Sequence, residues 1–147
     1  MLSKEIQSTV QFHYLQCNAG LRNRQQLKSF LLSIFRKEKV VIAGLNYIFC
    51  SDKYLLTINQ QFLQHNDYTD IITFNLAQKD APVEGDIYIS LERVKENALN
   101  LDQHYYMEIH RVIFHGALHL CGYKDKTQKD IALMRAKEDY YLSKYFK

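Results

Sequence analysis

Strand-type and helix-type periodicities are interleaved along this chain without a strict β-α-β alternation. That order limits it to a sheet of mixed strand direction with helices laid against it. Residues 9–15 (TVQFHYL) alternate apolar and polar side chains, as a half-buried strand does. Asn23 stands where a cap is needed. Behind it Leu27, Phe30, Leu31, Ile34 and Phe35 recur at three- and four-residue steps, the spacing of one helix face, up to the charged run 36–39 (RKEK). Residues 40–50 are rich in β-branched and aromatic side chains and predict a strand, with Gly44 as a bulge. Ser51 or Asp52 can cap a helix carrying Leu55, Leu56, Ile58, Phe62 and Leu63. A loop at 64–67, a strand at 70–76, a turn at 80–84 around Pro82 and a strand at 85–91 follow. Three helices complete the chain, at 91–100, 106–121 and 127–145. Gly122 stops the second, and Thr127 with Asp130 forms a capping box before the third. The expected fold is α+β, a mixed sheet of three to five strands with helices packed on it.

One proline and five glycines among 147 residues leave no stretch resembling an interdomain linker, so a single domain over 1–147 is expected. Apolar residues at 47% and charged residues at 24% can build a core and argue against disorder. A net charge of +3 permits a polyanionic partner without demanding one. The cysteines, Cys17, Cys50 and Cys121, are scattered and odd in number, which argues against both a disulfide framework and a zinc ribbon. The first residues (MLSKEIQSTVQ) lack the apolar core of a signal peptide, and no apolar run could span a bilayer. These features predict a reduced, cytoplasmic protein away from membranes.

The chemistry concentrates in residues 115–125 (HGALHLCGYKD). Two histidines four residues apart on a helix lie roughly 40° apart around its axis and about 6 Å apart along it, so both imidazoles can reach one ion. Gly122 then breaks the helix, and Asp125 can return to the same point as a third ligand. The pattern H-x3-H-x2-G-x2-D has the skeleton of the long zincin motif with Asp in the last place. Three protein ligands leave a coordination position for water, the arrangement metal-ion catalysis needs. Gly116 occupies the place of the zincin general-base glutamate, which excludes peptide hydrolysis by that route. Taken alone, an HxxxH pair also fits two ordinary polar residues on a helix surface; the helix stop and the ligand-capable residue beyond it favour a metal site.

Residues 115–123 match the HGxLHLxGY signature at every fixed position. Residues 85–90 match GDIxIS, and residues 58–74 loosely follow LNxxYRxxDxPTDVLSF. On these residues the chain resembles the YbeY family of bacterial endoribonucleases and rRNA maturation factors, from about Leu55 to the C-terminus, with the N-terminal elements fitting in order. The resemblance implies a metal-dependent hydrolase of single-stranded RNA, active in 16S rRNA maturation and ribosome quality control. It implies one divalent ion, zinc by family, held by His115, His119 and Asp125, with catalysis through metal-bound water. It implies as partners rRNA, the small ribosomal subunit, a small-subunit ribosomal protein and an Era-type GTPase. The family's closing Asp-His is Lys124-Asp125 here. A carboxylate ligand makes the ion a weaker Lewis acid and suits harder ions such as Mn²⁺ somewhat better. The family's phosphate-contacting arginine falls on Leu63; Lys124 beside the metal, or His65, is the expected substitute. The alternative reading is a ribosome-binding assembly factor whose metal is mainly structural.

Other residues carry weaker signals. His110 is expected on the surface or behind the ligands, His104 at a solvated loop end, and Cys121 as a small apolar filler. Asp70 and Thr73 border the cleft as strand-end hydrogen-bonding groups or as RNA contacts. Some of the eleven tyrosines could stack on bases, while Tyr140, Tyr141 and Tyr145 suit helix packing. Seven Lys or Arg against four acidic residues follow Gly122, which fits phosphate contact or a solvated helix face equally.

Overall fold

The computed structural model describes residues 9–65 and 68–147. Its elements run β1 (Thr9–Tyr14), α1 (Arg24–Lys37), β2 (Ile42–Cys50), α2 (Asp52–Leu63), β3 (Ile71–Asn75), β4 (Val83–Ser90), α3 (Leu91–Asn100), α4 (Tyr105–Leu120) and α5 (Gln128–Tyr145). The four strands form one sheet in the order β1-β2-β4-β3. β1 and β4 pair parallel to β2, while β3 runs antiparallel to β4 at the edge. The mixed sheet and α+β class expected from the sequence are therefore present, and the register slips beside Gly44 as a bulge there predicts.

Side-chain alternation gives the sheet two unlike faces. Leu45, Tyr47 and Phe49 of β2 lie beside Gly85, Ile87 and Ile89 of β4. These in turn oppose Asn75, Thr73 and Ile71 of β3. That face is covered by the apolar stripes of α1 (Leu27, Leu31, Ile34, Phe35), α4 (Ile109, Val112, Ile113, Ala117) and α5 (Met134, Tyr141, Leu142), which together make the main core. The opposite face carries a small cluster of Cys50, Leu55, Ile58 and Ile72 under α2. Because β3 is the edge strand, its α4-side residues Thr73 and Asn75 end up lining a cleft.

α4 crosses the sheet closely at Gly116. A Cβ there would meet Ile87 Cδ1 at 2.9 Å, and Ile71 Cδ1 and Ile87 Cγ2 at 3.0 Å each. Gly116→Ala is expected to destabilise the protein. Overpacking of about 1–3 kcal/mol exceeds the helix-propensity gain of up to about 1 kcal/mol. A thermal midpoint above wild type would show that the contact is slack.

The helix ends largely follow the sequence. Ser51 Oγ accepts the Tyr54 N–H at 3.0 Å, and Thr127 and Asp130 exchange both bonds of the capping box. Four expectations are corrected. Asn23 precedes α1, but it is left-handed with φ 51° and its side chain caps nothing, because the turn entering α1 needs that conformation. The turn before β4 is shorter than 80–84, since Val83 and Glu84 already pair in the sheet. Phe62 and Leu63 are exposed at the end of α2, because the small cluster beneath that helix is filled by Leu55 and Ile58. His110 is fully buried, not superficial, and is boxed by Tyr106, Phe114, Tyr145 and Phe146. Of the 64–67 loop, Asn66 and Asp67 lie outside the described residues.

Candidate metal centre

His115 and His119 project from successive turns of α4, with ring centroids 4.5 Å apart and planes at 84°. The helix stops at Gly122, whose φ of +104° suits a residue without Cβ. The Gly122 and Tyr123 N–H groups close the helix onto the carbonyls of His119 and Leu118, and the chain turns back. Asp125 Oδ2 thereby lies 3.3 Å from His115 Nε2 and 3.2 Å from His119 Nε2. All three residues proposed from the motif converge, their ligand atoms lying within 4.8 Å of one another.

Both imidazoles are oriented from behind. His115 Nδ1 lies 2.6 Å from Glu138 Oε2, and His119 Nδ1 lies 2.9 Å from the Tyr123 carbonyl. A carboxylate and a carbonyl can only accept, so each Nδ1 carries the proton. In the neutral rings both Nε2 lone pairs then point at a third acceptor, Asp125. A shared cation, or a proton on one imidazole Nε2, satisfies three acceptors placed this way. A tetrahedral ion with bonds of about 2.0–2.2 Å would separate its donors by about 3.3–3.6 Å, close to both histidine–aspartate distances. The two nitrogens and one oxygen could thus hold a divalent ion. The same geometry acts on the titration of His115. Burial lowers its pKa, but the Glu138 hydrogen bond and the charges of Glu138, Asp125 and Asp70 outweigh burial and leave it raised.

Glu138 comes from α5 and is 6% exposed. Its other oxygen accepts from Arg111 at 3.0 Å, and Arg111 also donates to Asp139 at 2.8 Å. The returning turn is tied down separately. Tyr123 donates its hydroxyl to Glu38 at 2.6 Å, and Glu38 is also held by Tyr141 and Lys137. α1 and α5 therefore clamp the segment that presents both the Tyr123 carbonyl and Asp125.

The triad opens into a cleft of about 890 Å³, within the roughly 300–1,000 Å³ typical of ligand clefts. Asp70, Thr73, Asn97, Glu108, Arg111 and Arg135 supply much of its polar lining. Burial pushes the carboxyls of Asp70 and Glu108 up from their usual values. Asp70 accepts from Asn97 Nδ2 at 3.3 Å, while Thr73 Oγ1 is buried without a hydrogen-bond partner. Both cleft-bordering residues named from the sequence are therefore in it. Leu63 lines the cleft as well, whereas Lys124 and His65 are exposed and stand outside its lining. Glu138, Arg111 and Arg135 were not anticipated. For Glu138 a signal existed: it shares a helical stripe with Met134, Tyr141 and Leu142, an acidic residue among core positions.

A family model described as endoribonuclease YbeY matches residues 12–146. A Cytophaga hutchinsonii protein bearing the name endoribonuclease YbeY is 50% identical over 137 residues, covering 93% of this chain and 96% of that protein. One of the same name from Flavobacterium psychrophilum is 44% identical over 130 residues, covering 88% and 91%. The solution structure of a Thermotoga maritima protein superposes with a TM-score of 0.65 at 30% identity, covering 92% of this chain and 89% of that one.

Proposed function

The chain belongs to the YbeY endoribonuclease family, and from that premise we propose that it is a metal-dependent hydrolase of single-stranded RNA, acting in 16S rRNA maturation and ribosome quality control. The observation that carries the metal dependence is the convergence of three acceptor atoms, His115 Nε2, His119 Nε2 and Asp125 Oδ2, at the cleft. When bound, a divalent ion supplies Lewis acidity toward a phosphoryl oxygen and acidifies water. Two imidazoles and a carboxylate suit zinc, with the carboxylate tempering its Lewis acidity.

The protein's own contribution is orientation. Glu138 and the Tyr123 carbonyl hold both imidazoles in the tautomer that leaves Nε2 free, and Gly122 returns Asp125 to them. Burial raises the pKa values of Asp70 and Glu108, which favours their protonated forms in the cleft. The proposed setting is the cytoplasm. Proposed partners are rRNA and the small ribosomal subunit, with a small-subunit ribosomal protein and an Era-type GTPase.

Purified protein reconstituted with zinc is expected to cut a single-stranded RNA taken from the 16S sequence. Chelation should stop the cutting, and readdition should restore it. Cleavage that survives chelation would refute metal dependence. The exposed Leu63, standing where the family carries arginine, favours a second reading as an assembly factor with a structural metal. Stoichiometric metal without turnover would decide for that reading.

A further inference from the structure

The cleft that should admit a polyanion is rich in carboxylates. Asp70, Glu108, Asp125 and Glu138 line it against two guanidinium groups, Arg111 and Arg135. Arg111 is committed at close range, to Glu138 Oε1 at 3.0 Å and Asp139 Oδ1 at 2.8 Å. Arg135 is not. Glu138 Oε1 is 4.0 Å from its guanidinium, Glu108 acts on it only as a more general charge, and its side chain is 54% exposed. Glu138 in turn touches His115 Nδ1 through its other oxygen, so the Arg135 guanidinium stands one carboxylate away from a metal ligand. It comes from α5, whose packing against α4 fixes that position.

We propose that Arg135 is a phosphate-binding residue of the cleft, gripping a non-bridging oxygen of the RNA backbone beside the metal centre. A guanidinium presents a planar fork that matches two phosphate oxygens, and its charge is always present. The competing acceptor is already shared, because Glu138 serves His115 and Arg111. An incoming phosphate therefore takes Arg135 without breaking a short ion pair. The exposed side chain has room to turn from α5 toward the ligand.

This inference rests on the reading of the cleft as an RNA site, and its test is read by binding rather than turnover. A fluorescently labelled short single-stranded RNA is titrated against zinc-loaded wild type, Arg135→Ala and Arg135→Lys, across a range of salt. Arg135→Ala is expected to bind about tenfold more weakly. Its log affinity should fall less steeply with log salt, by about 0.7, the share of one phosphate contact on a single strand. Arg135→Lys should restore the slope but only part of the affinity, since ammonium lacks the fork. Zinc content should be equal in all three. Unchanged affinity and slope in Arg135→Ala would overturn the proposal, as would loss of zinc in that variant, which would make Arg135 a support of the metal centre. Wild type that binds RNA through Arg135 yet never cuts it would sink the nuclease reading and leave this one standing.

Discussion

Purified His115→Ala and His119→Ala proteins are expected to carry no stoichiometric metal and to lose RNA cleavage to background. The loss in metal affinity should exceed the roughly 10–100-fold that removal of an outer hydrogen-bonding partner costs, because a first ligand is gone. Neither change should unfold the protein. Both imidazoles face the cleft, and the core beneath them is built by Ile113, Ala117 and Leu118 on the other side of α4. Elemental analysis beside thermal melts separates the two effects: metal lost, with a midpoint close to that of metal-free wild type, is the expected pair. Asp125→Ala should behave similarly but less severely, since two nitrogen ligands remain. Asp125→His is the informative companion. Exchanging the carboxylate for a neutral imidazole removes one negative charge from the residues that would hold the ion, which would make a bound divalent ion a stronger Lewis acid toward water. The rising limb of the pH–rate profile should therefore move to lower pH. A limb that moves the other way, or a His119→Ala protein that keeps a full equivalent of metal, would show the ligand set to be wrong.

What the sequence revealed of this site and what it concealed divide along chain distance. His115, His119, Gly122 and Asp125 lie within one helical turn and its reversal, so backbone geometry alone brings them together. The groups that orient them do not share that locality. Glu138 meets His115 across 23 residues and Glu38 meets Tyr123 across 85, through packing of α5 and α1 that no local periodicity dictates. The strands show the same division. Each was legible locally, β1 from its alternation and β2 from its β-branched and aromatic residues, but the placement of β3 at the sheet edge, which turns Thr73 and Asn75 toward the cleft, is a property of pairing. His110 misled for a related reason. A lone histidine near two ligand histidines reads as polar, yet its Nδ1 finds the Tyr106 carbonyl at 2.7 Å while aromatic rings close around it. Burial accordingly holds its pKa below the usual histidine value, despite that carbonyl.

Glu138 offers the other large effect, because one carboxylate serves two cationic or potentially cationic partners in a nearly buried position. Glu138→Ala leaves Arg111 without its inner partner and His115 without its anchor. Removing one member of a buried charge pair costs about 3–5 kcal/mol, and a chain of this size should lose some 10 °C in thermal midpoint. Part of the Arg111 charge stays balanced by Asp139, which places the expected cost at the lower end of that range. Glu138→Gln separates stability from metal binding. The amide keeps the volume and its oxygen can still accept from His115 Nδ1, but its NH2 then faces the Arg111 guanidinium and cannot accept from it, so the loss of stability should be smaller than that of the alanine variant without vanishing. The charge that raises the basicity of His115 disappears, however, and metal affinity should fall about 10–100-fold. A competition titration against a chelator of known affinity measures that fall directly. If Glu138→Gln bound metal as tightly as wild type while Glu138→Ala melted early, Glu138 would be a structural ion pair, and its contact with His115 would be incidental to the metal. The expected result, weak metal in a well-folded protein, would make α5 part of the metal centre, since it is the helix that supplies the charge behind His115.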